Sequence, residues 1–434
     1  MKKGKIGFLI VSVILAISLI LTGCGPDRGK QAKDQKTTQT KKPEAKPDQL
    51  EVWVNAEAAQ VKAIKQITDA YTQKTGIKVK LTQINMLDQQ KKLAVVGPQG
   101  KGPDLFFQPQ DRIGDLVTQG LAAPVDQYLS KKEIDGYSSS AIQAVTYTYQ
   151  ETGDKEAKPH IYGFPAVIET YALFYNKSMV PEAPATFEDL KAKAKDLTNA
   201  AQKKYGFVFE GNNFYYTYMF LKNYNASIFG GEPGNYDPSQ INVASQGAVR
   251  GFKELQSFFT EGLIPKTINA DLVNGLFKEG KAAMVINGPW AIKDYQTALG
   301  DKVATAPLPT LNGSPAVSFS GVKSWLVSYY SKNKYWAADL AKFMTNDENS
   351  KIYFDNAGEM VPRPTVLDQL NNPINKGFTE QIKHSEPMPN IPEMSQVWDP
   401  MGNALQFIAK GNDVQKSLEN AAKQITKKIN TMKK

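Results

Sequence analysis

Four aromatic rings occur within a short stretch near the middle of the chain, at Phe214, Tyr215, Tyr216 and Tyr218. Each ring offers a broad apolar face at little cost in rotamer entropy, and each tyrosine adds a hydroxyl that needs a partner when it is buried. An apolar face with a polar edge matches a sugar ring, whose C–H faces are apolar and whose rim carries hydroxyls. The same run is equally typical of an amphipathic helix that begins here and packs its rings into a core. The run is therefore a candidate carbohydrate-binding surface, and other segments must decide between the two interpretations.

Charged side chains near predicted strands are the second candidate for binding chemistry. Asp111 and Arg112 follow a segment at 102–107 that is predicted to be a strand, at the place where open α/β sheets bind ligands. Glu169 lies among apolar neighbours in a long extended run at 162–177. Ionised groups form stronger hydrogen bonds with hydroxyls than neutral groups do, so these carboxylates suit a sugar. Glu169 could also face solvent by strand alternation, and two facing carboxyls are equally what a glycoside hydrolase requires.

A tryptophan at the end of a short buried strand is the third candidate. The strand is predicted at 282–286, and the sequence Asn-Gly-Pro-Trp at 287–290 turns sharply out of it. Held by this Gly-Pro corner, Trp290 is well placed for the wall of a pocket, although it would serve equally well as core filler.

The elements that position these residues have an α/β pattern. Leu50, Val52 and Val54 alternate as in a strand, a helical spacing follows as far as Gly76, and alternation resumes at Ile77. This order predicts a βαβ unit, in which the loops at the carboxyl ends of the strands form a crevice.

The length of the chain predicts two lobes, because 434 residues exceed the size at which single cores stop growing. The extended run at 162–177 is expected to pass from one lobe into the other, and a strand at 317–327 is expected to return. The C-terminal third has a helical pattern, so each lobe is discontinuous in sequence. The predicted lobes are residues 49–168 with 319–366, and residues 169–318 with 367–434.

The N-terminus predicts secretion. Three lysines within the first five residues precede an apolar stretch at 6–20, which closes with Leu-Thr-Gly-Cys. This arrangement is typical of a signal peptide, predicted at 1–23, and its ending resembles the lipobox of bacterial lipoproteins, in which Cys24 would be diacylated. A buried cysteine behind a transmembrane helix would need a longer apolar span. Residues 24–48 are too polar to bury a core and are expected to form a tether between the lipidated cysteine and the folded body.

Composition argues against several functions. The formal net charge is +9, but much of the lysine lies at the two ends and no basic stripe is interleaved with aromatics, so nucleic-acid binding is not expected. Two histidines and one cysteine argue against a His/Cys metal site and against a Ser–His triad. No cofactor is expected.

The chain resembles the extracytoplasmic solute-binding proteins of ABC importers, specifically their maltose/maltodextrin-binding group. The resemblance extends from residue 50 to the C-terminus. The segments that carry it are Trp53-Val54-Asn55 and the residues at 75–79, 102–104, 111–114, 165–177, 213–218, 277–290 and 389–395.

This resemblance implies a monomer with two α/β lobes joined by a hinge of crossing strands, and an α-1,4-glucan oligosaccharide held in the cleft for delivery to a membrane permease. On the matched positions, hydroxyls would be bound by Glu57, Asp111, Arg112 and Glu169, and rings would stack on Tyr215, Trp290 and Trp398. Further ligand-binding candidates are Gln108, Asn213, Tyr216, Lys323 and Asp399.

Some of these positions depart from the pattern of the family. Asn213 stands where an enteric member has a glutamate, and Gln108 stands where it has a tryptophan. The resemblance therefore leaves the preferred chain length open. Galacto-oligosaccharides and cyclodextrins remain alternative ligands, because related proteins carry a similar Pro-Asn-Ile-Pro-Glu-Met segment. A glycoside hydrolase remains the alternative from another class.

Overall fold

The computed structural model describes residues 45–232, 235–367 and 373–432. The predicted signal peptide, Cys24 and nearly all of the predicted tether lie outside these ranges. Within them, no helix combines the length and the apolar character that a membrane span requires.

The described residues form a mixed α/β fold, as predicted. The strands are β1 (Gln49–Val54), β2 (Lys78–Gln83), β3 (Leu105–Pro109), β4 (Thr146–Tyr149), β5 (Lys158–Ile161), β6 (Phe164–Thr170), β7 (Ala172–Asn176), β8 (Tyr205–Val208), β9 (Phe229–Glu232), β10 (Asn235–Ile241), β11 (Ala282–Asn287), β12 (Val303–Ala306), β13 (Ser318–Val327) and β14 (Ser385–Pro387). The helices are α1 (Ala58–Thr75), α2 (Met86–Val96), α3 (Ile113–Thr118), α4 (Lys131–Asp135), α5 (Ser139–Ala144), α6 (Phe187–Leu197), α7 (Phe214–Lys222), α8 (Gln246–Thr260), α9 (Ala270–Lys278), α10 (Ile292–Leu299), α11 (Lys334–Met344), α12 (Asp347–Ala357), α13 (Pro364–Leu367), α14 (Lys376–Gln381), α15 (Trp398–Ala409) and α16 (Val414–Met432).

The first sheet has the strand order β14-β13-β3-β1-β2, with β6 as a further neighbour of β13. Strand β1 runs parallel to β2 and β3, whereas β13 is antiparallel to β3 and β6. The predicted βαβ unit is confirmed as β1-α1-β2, and Gly76 ends α1 in the left-handed conformation at φ 75°. Helices α1, α11 and α12 bury their apolar faces in the same core as this sheet. We call this part of the molecule the first lobe.

The second sheet has the order β12-β7-β11-β8. Strand β7 is antiparallel to both of its neighbours, and β11 is parallel to β8. Helices α6 to α9 and the C-terminal α14 to α16 pack their buried residues into the core of this sheet. We call this part the second lobe. The helical pattern predicted for the C-terminal third is confirmed, and its last helix, α16, buries an apolar stripe here.

The chain passes from the first sheet to the second within the extended run at 162–177. Strand β6 belongs to the first sheet and β7 to the second, and only Tyr171 separates them. Strand β13 then brings the chain back to the first sheet, and Phe319 near its start packs in the core of the second lobe. Because β6 and β13 are paired, the crossing strands support each other at the bottom of the space between the lobes. One short strand within 367–434, β14, also pairs with β13 in the first sheet.

A close contact between α7 and α8 allows the packing of the second lobe to be tested. Gly251 lies inside α8, and a Cβ at this position would overlap the carbonyl oxygen of Phe220 in α7. Gly275 lies inside α9, where a Cβ would meet nothing within 4 Å. We expect Gly251→Ala to lower the free energy of unfolding by about 1–3 kcal/mol, because overpacking forces the helices apart.

Gly275→Ala is the matched control and should raise the free energy of unfolding by about 0.5–1 kcal/mol, because alanine loses less backbone entropy in a helix than glycine does. Both variants can be compared with the wild type in urea unfolding followed by circular dichroism. A Gly251→Ala protein as stable as the wild type would contradict the packing of α7 on α8.

Candidate functional site

A cleft of about 970 Å³ lies between the two lobes. Its first wall comes from the carboxyl end of β3 and the start of α1, its second wall from the start of α7, the end of β11 and the start of α15, and its floor from β6 and β13. The structure places along it eleven of the twelve residues predicted to bind ligand, namely Glu57, Asp111, Arg112, Glu169, Asn213, Tyr215, Tyr216, Trp290, Lys323, Trp398 and Asp399.

Gln108 is the exception, because it is not among the residues that line the cleft. Its side chain is only 1% exposed, and its Nε2 donates a hydrogen bond to the carbonyl oxygen of Met86 at 2.6 Å. Strand β3 lies between β1 and β13 and is buried along its whole length, so Gln108 points into the protein rather than into the cleft. This hydrogen bond holds the backbone of Met86, a residue that lines the cleft.

The aromatic run lies partly in the core of the second lobe and partly along the cleft. Asn213 caps α7 by accepting a hydrogen bond from the Tyr215 N–H at 3.0 Å, which starts the helix at the edge of the cleft. Phe214 and Tyr218 are buried, and Tyr218 stacks on Phe319 with ring centroids 3.7 Å apart. Tyr215 and Tyr216 reach the cleft. The helix therefore packs most of the run into the core and offers part of it to a ligand.

The hydroxyl of Tyr215 is a polar group with unused bonding capacity. It is buried and has no hydrogen-bond partner among the described residues. Burial raises the pKa of this hydroxyl well above its ordinary value, so the group stays protonated and able to donate a hydrogen bond. The hydroxyl of Tyr216, in contrast, donates to Asn287 Oδ1 at 3.2 Å.

The floor of the cleft carries a buried cluster of charges. Glu169 on β6 and Lys323 on β13 are both less than a tenth exposed, and Lys323 Nζ lies 2.5 Å from Glu169 Oε2. The same nitrogen lies 2.9 Å from Oε1 of Glu359, a fully buried carboxylate. Burial raises the pKa of the Glu169 carboxyl, while Lys323 opposes that rise. Burial alone would lower the pKa of Lys323, but the two carboxylates outweigh it and raise that pKa above its ordinary value.

The first wall places Asp111 opposite an indole of the second lobe. Asp111 and Arg112 lie in a single 3-10 turn directly after β3, as expected for the carboxyl end of a strand in an open sheet. Trp398 Nε1 donates to Asp111 Oδ2 at 3.0 Å, and Arg112 Nε lies 3.6 Å from the same oxygen. Burial raises the pKa of the Asp111 carboxyl, with Arg112 and Trp398 acting against the rise. Trp398 opens α15, so this hydrogen bond spans the cleft.

Trp290 makes a second contact across the cleft. It lies in the turn Pro289–Ala291 that follows β11, and Lys323 Nζ lies 4.8 Å from the centroid of its ring. Gly288 permits this position, because a Cβ there would overlap the ring of Trp290. The predicted strand-end tryptophan therefore lies in the wall of the cleft.

Glu57 and Asp399 lie at the rim of the cleft. Glu57 occupies the position before α1 and makes no side-chain cap. The side chain of Asp399 is 83% exposed, and Lys428 Nζ lies 3.4 Å from its Oδ2. Both carboxylates are exposed to solvent, so they would contribute less per hydrogen bond than the buried ones.

Several residues of the cleft were missed by the sequence analysis. Glu210, Asn212 and Asn269 line its second wall, and Asn55 and Gln60 line its first. Glu210 precedes the aromatic run, and Asn55 lies within a segment that carried the family resemblance, so a signal existed for both. No signal in the sequence marked Glu359, because its position beside Glu169 and Lys323 depends on partners that are far away in the sequence.

The cleft holds acceptors, donors and aromatic faces. Among the described residues no group of His, Cys, Asp and Glu side chains is arranged to hold a metal ion. The aromatic rings of the cleft come from the second lobe, and most of its charged side chains come from the first. Such an arrangement can bind a polar, uncharged molecule that has apolar faces.

Comparisons with known proteins agree with this architecture. The family model described as bacterial extracellular solute-binding protein matches residues 66–420. The galactooligosaccharide-binding protein of Bacillus subtilis is 35% identical over 423 residues, which cover 94% of this chain and 93% of that protein. The maltooligosaccharide ABC transporter solute-binding lipoprotein of Streptococcus pneumoniae is 29% identical over 428 residues, 95% of this chain and 94% of that protein.

A solved structure is also similar. The crystal structure of a cyclo/maltodextrin-binding protein complexed with maltotetraose has 42% sequence identity and a TM-score of 0.76, and it covers 90% of this chain and 100% of that one. The two-lobed fold, the cleft between the lobes and the match over most of the chain together identify this protein as a member of the bacterial extracellular solute-binding protein family.

Proposed function

We propose that this protein captures maltose and maltodextrins, which are α-1,4-glucan oligosaccharides, in the cleft and delivers them to the permease of an ABC importer. The observation that carries the proposal is the division of the cleft into an aromatic wall with Tyr215, Trp290 and Trp398, and an opposite side with buried Asp111 and Glu169. Stacked rings suit the C–H faces of glucose, and carboxylates suit its hydroxyls.

The charges of the cleft favour an uncharged ligand. Asp111 has Arg112 beside it, and Glu169 has Lys323. An anionic ligand would need a cation that is free to pair with it, whereas Arg112 and Lys323 already face carboxylates; a neutral oligosaccharide requires only oriented donors and acceptors. Hydrogen bonds to charged groups are worth about 1.5–3 kcal/mol each, which is enough for a few of them to set the affinity.

A galacto-oligosaccharide is the second candidate ligand, because the Bacillus subtilis relative named for that sugar is 35% identical to this chain. A cyclodextrin is a further alternative that the name of the similar solved structure supports. The maltodextrin proposal has the stronger support, because that structure, at 42% identity, holds maltotetraose.

We further propose that the protein binds without hydrolysis. The two carboxylates that could form a hydrolytic pair are each engaged: Asp111 accepts from Trp398, and Glu169 is paired with Lys323. The family to which the chain belongs consists of solute-binding proteins.

The remaining proposals concern location and organisation. We propose a monomer anchored to the outer face of the cell membrane through a diacylated Cys24, with residues 24–48 as its tether. The name of the Streptococcus pneumoniae relative, a lipoprotein, supports the anchor. The proposed lobe boundaries are 49–168 with 319–366, and 169–318 with 367–434.

Calorimetric titration tests the ligand proposal. We expect maltotetraose and maltose to bind and galactobiose to bind at least about tenfold more weakly, a difference of roughly 1.4 kcal/mol that misplaced hydroxyls would readily produce. β-Cyclodextrin completes the set, and chromatography of the recovered maltotetraose should show it intact. Tightest binding of galactobiose, or turnover that scales with protein concentration, would contradict the proposal.

Trp290→Ala tests the aromatic wall in the same assay. Loss of one stacked ring should weaken maltotetraose binding by about tenfold or more. Trp336→Phe is the control, because that partly buried ring packs against the core of the first lobe, away from the lining of the cleft, and its replacement should leave affinity within about twofold. Equal affinity of Trp290→Ala and wild type would remove Trp290 from the site.

The pH dependence of binding tests the two buried carboxylates. Burial raises the pKa of both Asp111 and Glu169, so on acidification they take up protons before exposed carboxyls, whose pKa is about 4. The charged form is the stronger acceptor for hydroxyls, and the affinity should therefore fall as the pH decreases from 7 through the raised pKa values. Asp111→Asn should flatten the profile. A wild-type affinity that stays constant down to pH about 4 would contradict this role.

Cys24→Ser tests the anchor. In a Gram-positive host we expect this variant to appear in the medium, because it lacks the acylated residue, and to bind saccharide as tightly as the wild type. Fractionation with immunoblotting measures its location. Full retention of the variant on the cells would refute lipid anchoring through this residue.

A further inference from the structure

Glu359 is a fully buried carboxylate behind the floor of the cleft. It follows Gly358, which ends α12 in the left-handed conformation at φ 76°. The backbone next to it is tied to the strand that carries Glu169, because the N–H of Ile168 donates to the carbonyl oxygen of Met360 at 2.9 Å. Glu359 does not line the cleft.

Three donors hold the side chain of Glu359. Its Oε1 faces Lys323 Nζ at 2.9 Å, and its Oε2 accepts from Gln60 Nε2 at 2.9 Å and from the hydroxyl of Tyr353 at 2.5 Å. Gln60 accepts in turn from Asn55 Nδ2 at 3.0 Å. Because Gln60 and Asn55 line the cleft, one chain of hydrogen bonds connects the first wall with the floor through Glu359.

The ammonium of Lys323 is shared among three groups. It has three N–H donors, and it faces Glu169 at 2.5 Å, Glu359 at 2.9 Å and the ring of Trp290 at 4.8 Å. Glu169 belongs to the first sheet, and Trp290 belongs to the second lobe. These contacts leave the ammonium little capacity for a ligand hydroxyl.

We propose that Glu359 is a positioning residue: by holding the ammonium of Lys323, it fixes the carboxylate of Glu169 and the indole of Trp290 in the places from which they grip an oligosaccharide. This inference rests on the proposed function. It also assigns Lys323 the role of a support for its neighbours rather than that of a direct sugar ligand.

The charge balance gives Glu359 a second effect on the floor. When all three groups are ionised, Glu169, Lys323 and Glu359 carry two negative charges and one positive charge, so carboxylate oxygens of the floor remain able to accept hydrogen bonds from a ligand. Without the charge of Glu359, the ammonium would be drawn fully to Glu169 and would occupy the oxygens that a sugar hydroxyl needs. It would also move away from the ring of Trp290.

The isosteric variant Glu359→Gln tests the proposal by titration with maltotetraose. We expect its affinity to fall by about tenfold or more, the scale of one charge-assisted hydrogen bond. Asp115→Asn is the matched control: Asp115 is 8% exposed, accepts from Gln90 and Gln119 at 2.7 Å each, and lies outside the lining of the cleft. The control should bind within about twofold of the wild type. Wild-type affinity in Glu359→Gln would overturn the proposal.

A double-mutant cycle separates positioning from a general loss of stability. Maltotetraose affinities are measured for Glu359→Gln, for Trp290→Phe and for their combination, first with Lys323 present and then in the Lys323→Met background. If Glu359 acts through Lys323, the two changes should be non-additive by about threefold or more in the wild type and additive in Lys323→Met. Additive effects in the wild type, or non-additivity that persists without Lys323, would overturn the proposal.

Tyr353→Phe keeps the test open if Glu359→Gln does not fold. This variant retains the charge of Glu359 and removes one donor to its Oε2. It should weaken maltotetraose binding by about two- to fourfold, and unchanged affinity would overturn the positioning role.

The proposed function and the positioning role of Glu359 can fail separately. If the wild type binds no saccharide, the proposed function and this inference are both overturned. If the wild type binds and the Glu359 and Tyr353 variants bind equally tightly, this inference alone is overturned.

Discussion

The buried ion pair between Lys323 and Glu169 is the interaction on which the geometry of the cleft depends. It joins β13 to β6, the two paired strands at the crossing between the lobes, and Tyr171 alone separates β6 from the first strand of the second sheet. Burying two charges is costly unless they are paired and further hydrogen-bonded. Glu359 supplies the additional partner, so the pair remains ionised in the interior and holds the floor in one arrangement.

The two lobes contribute different chemistry to the cleft. The first supplies Asp111 and Arg112, the second supplies rings at Tyr215, Trp290 and Trp398, and the crossing strand β6 supplies Glu169. An oligosaccharide needs both kinds of contact, so neither lobe alone would bind it well. A ligand that contacts both walls would prefer the arrangement in which they face each other, and its binding would therefore shift the population toward closed lobes. The contacts of Trp398 with Asp111 and of Trp290 with Lys323 show how closely these walls approach.

Local patterns predicted those parts of the molecule that depend on local physics. Alternation and helical spacing gave β1, α1 and β2, and the position of Asp111 followed from the rule that open sheets bind ligands at the carboxyl ends of their strands. The position of Gln108 outside the lining of the cleft could not be predicted, because a strand buried along its whole length has no pattern that marks the side facing the cleft. Glu359 was missed because its partners Gln60 and Lys323 lie 299 and 36 residues away, and no local pattern records such distances.

A crystal structure of the protein grown with maltotetraose would show directly which groups contact the sugar. We expect glucose rings stacked on aromatic side chains of the second lobe, hydroxyls bound to Asp111 and Glu169, and Lys323 still held between Glu169 and Glu359. A saccharide bound outside the cleft, or a Lys323 that has left Glu359 to bind the sugar itself, would contradict this expectation.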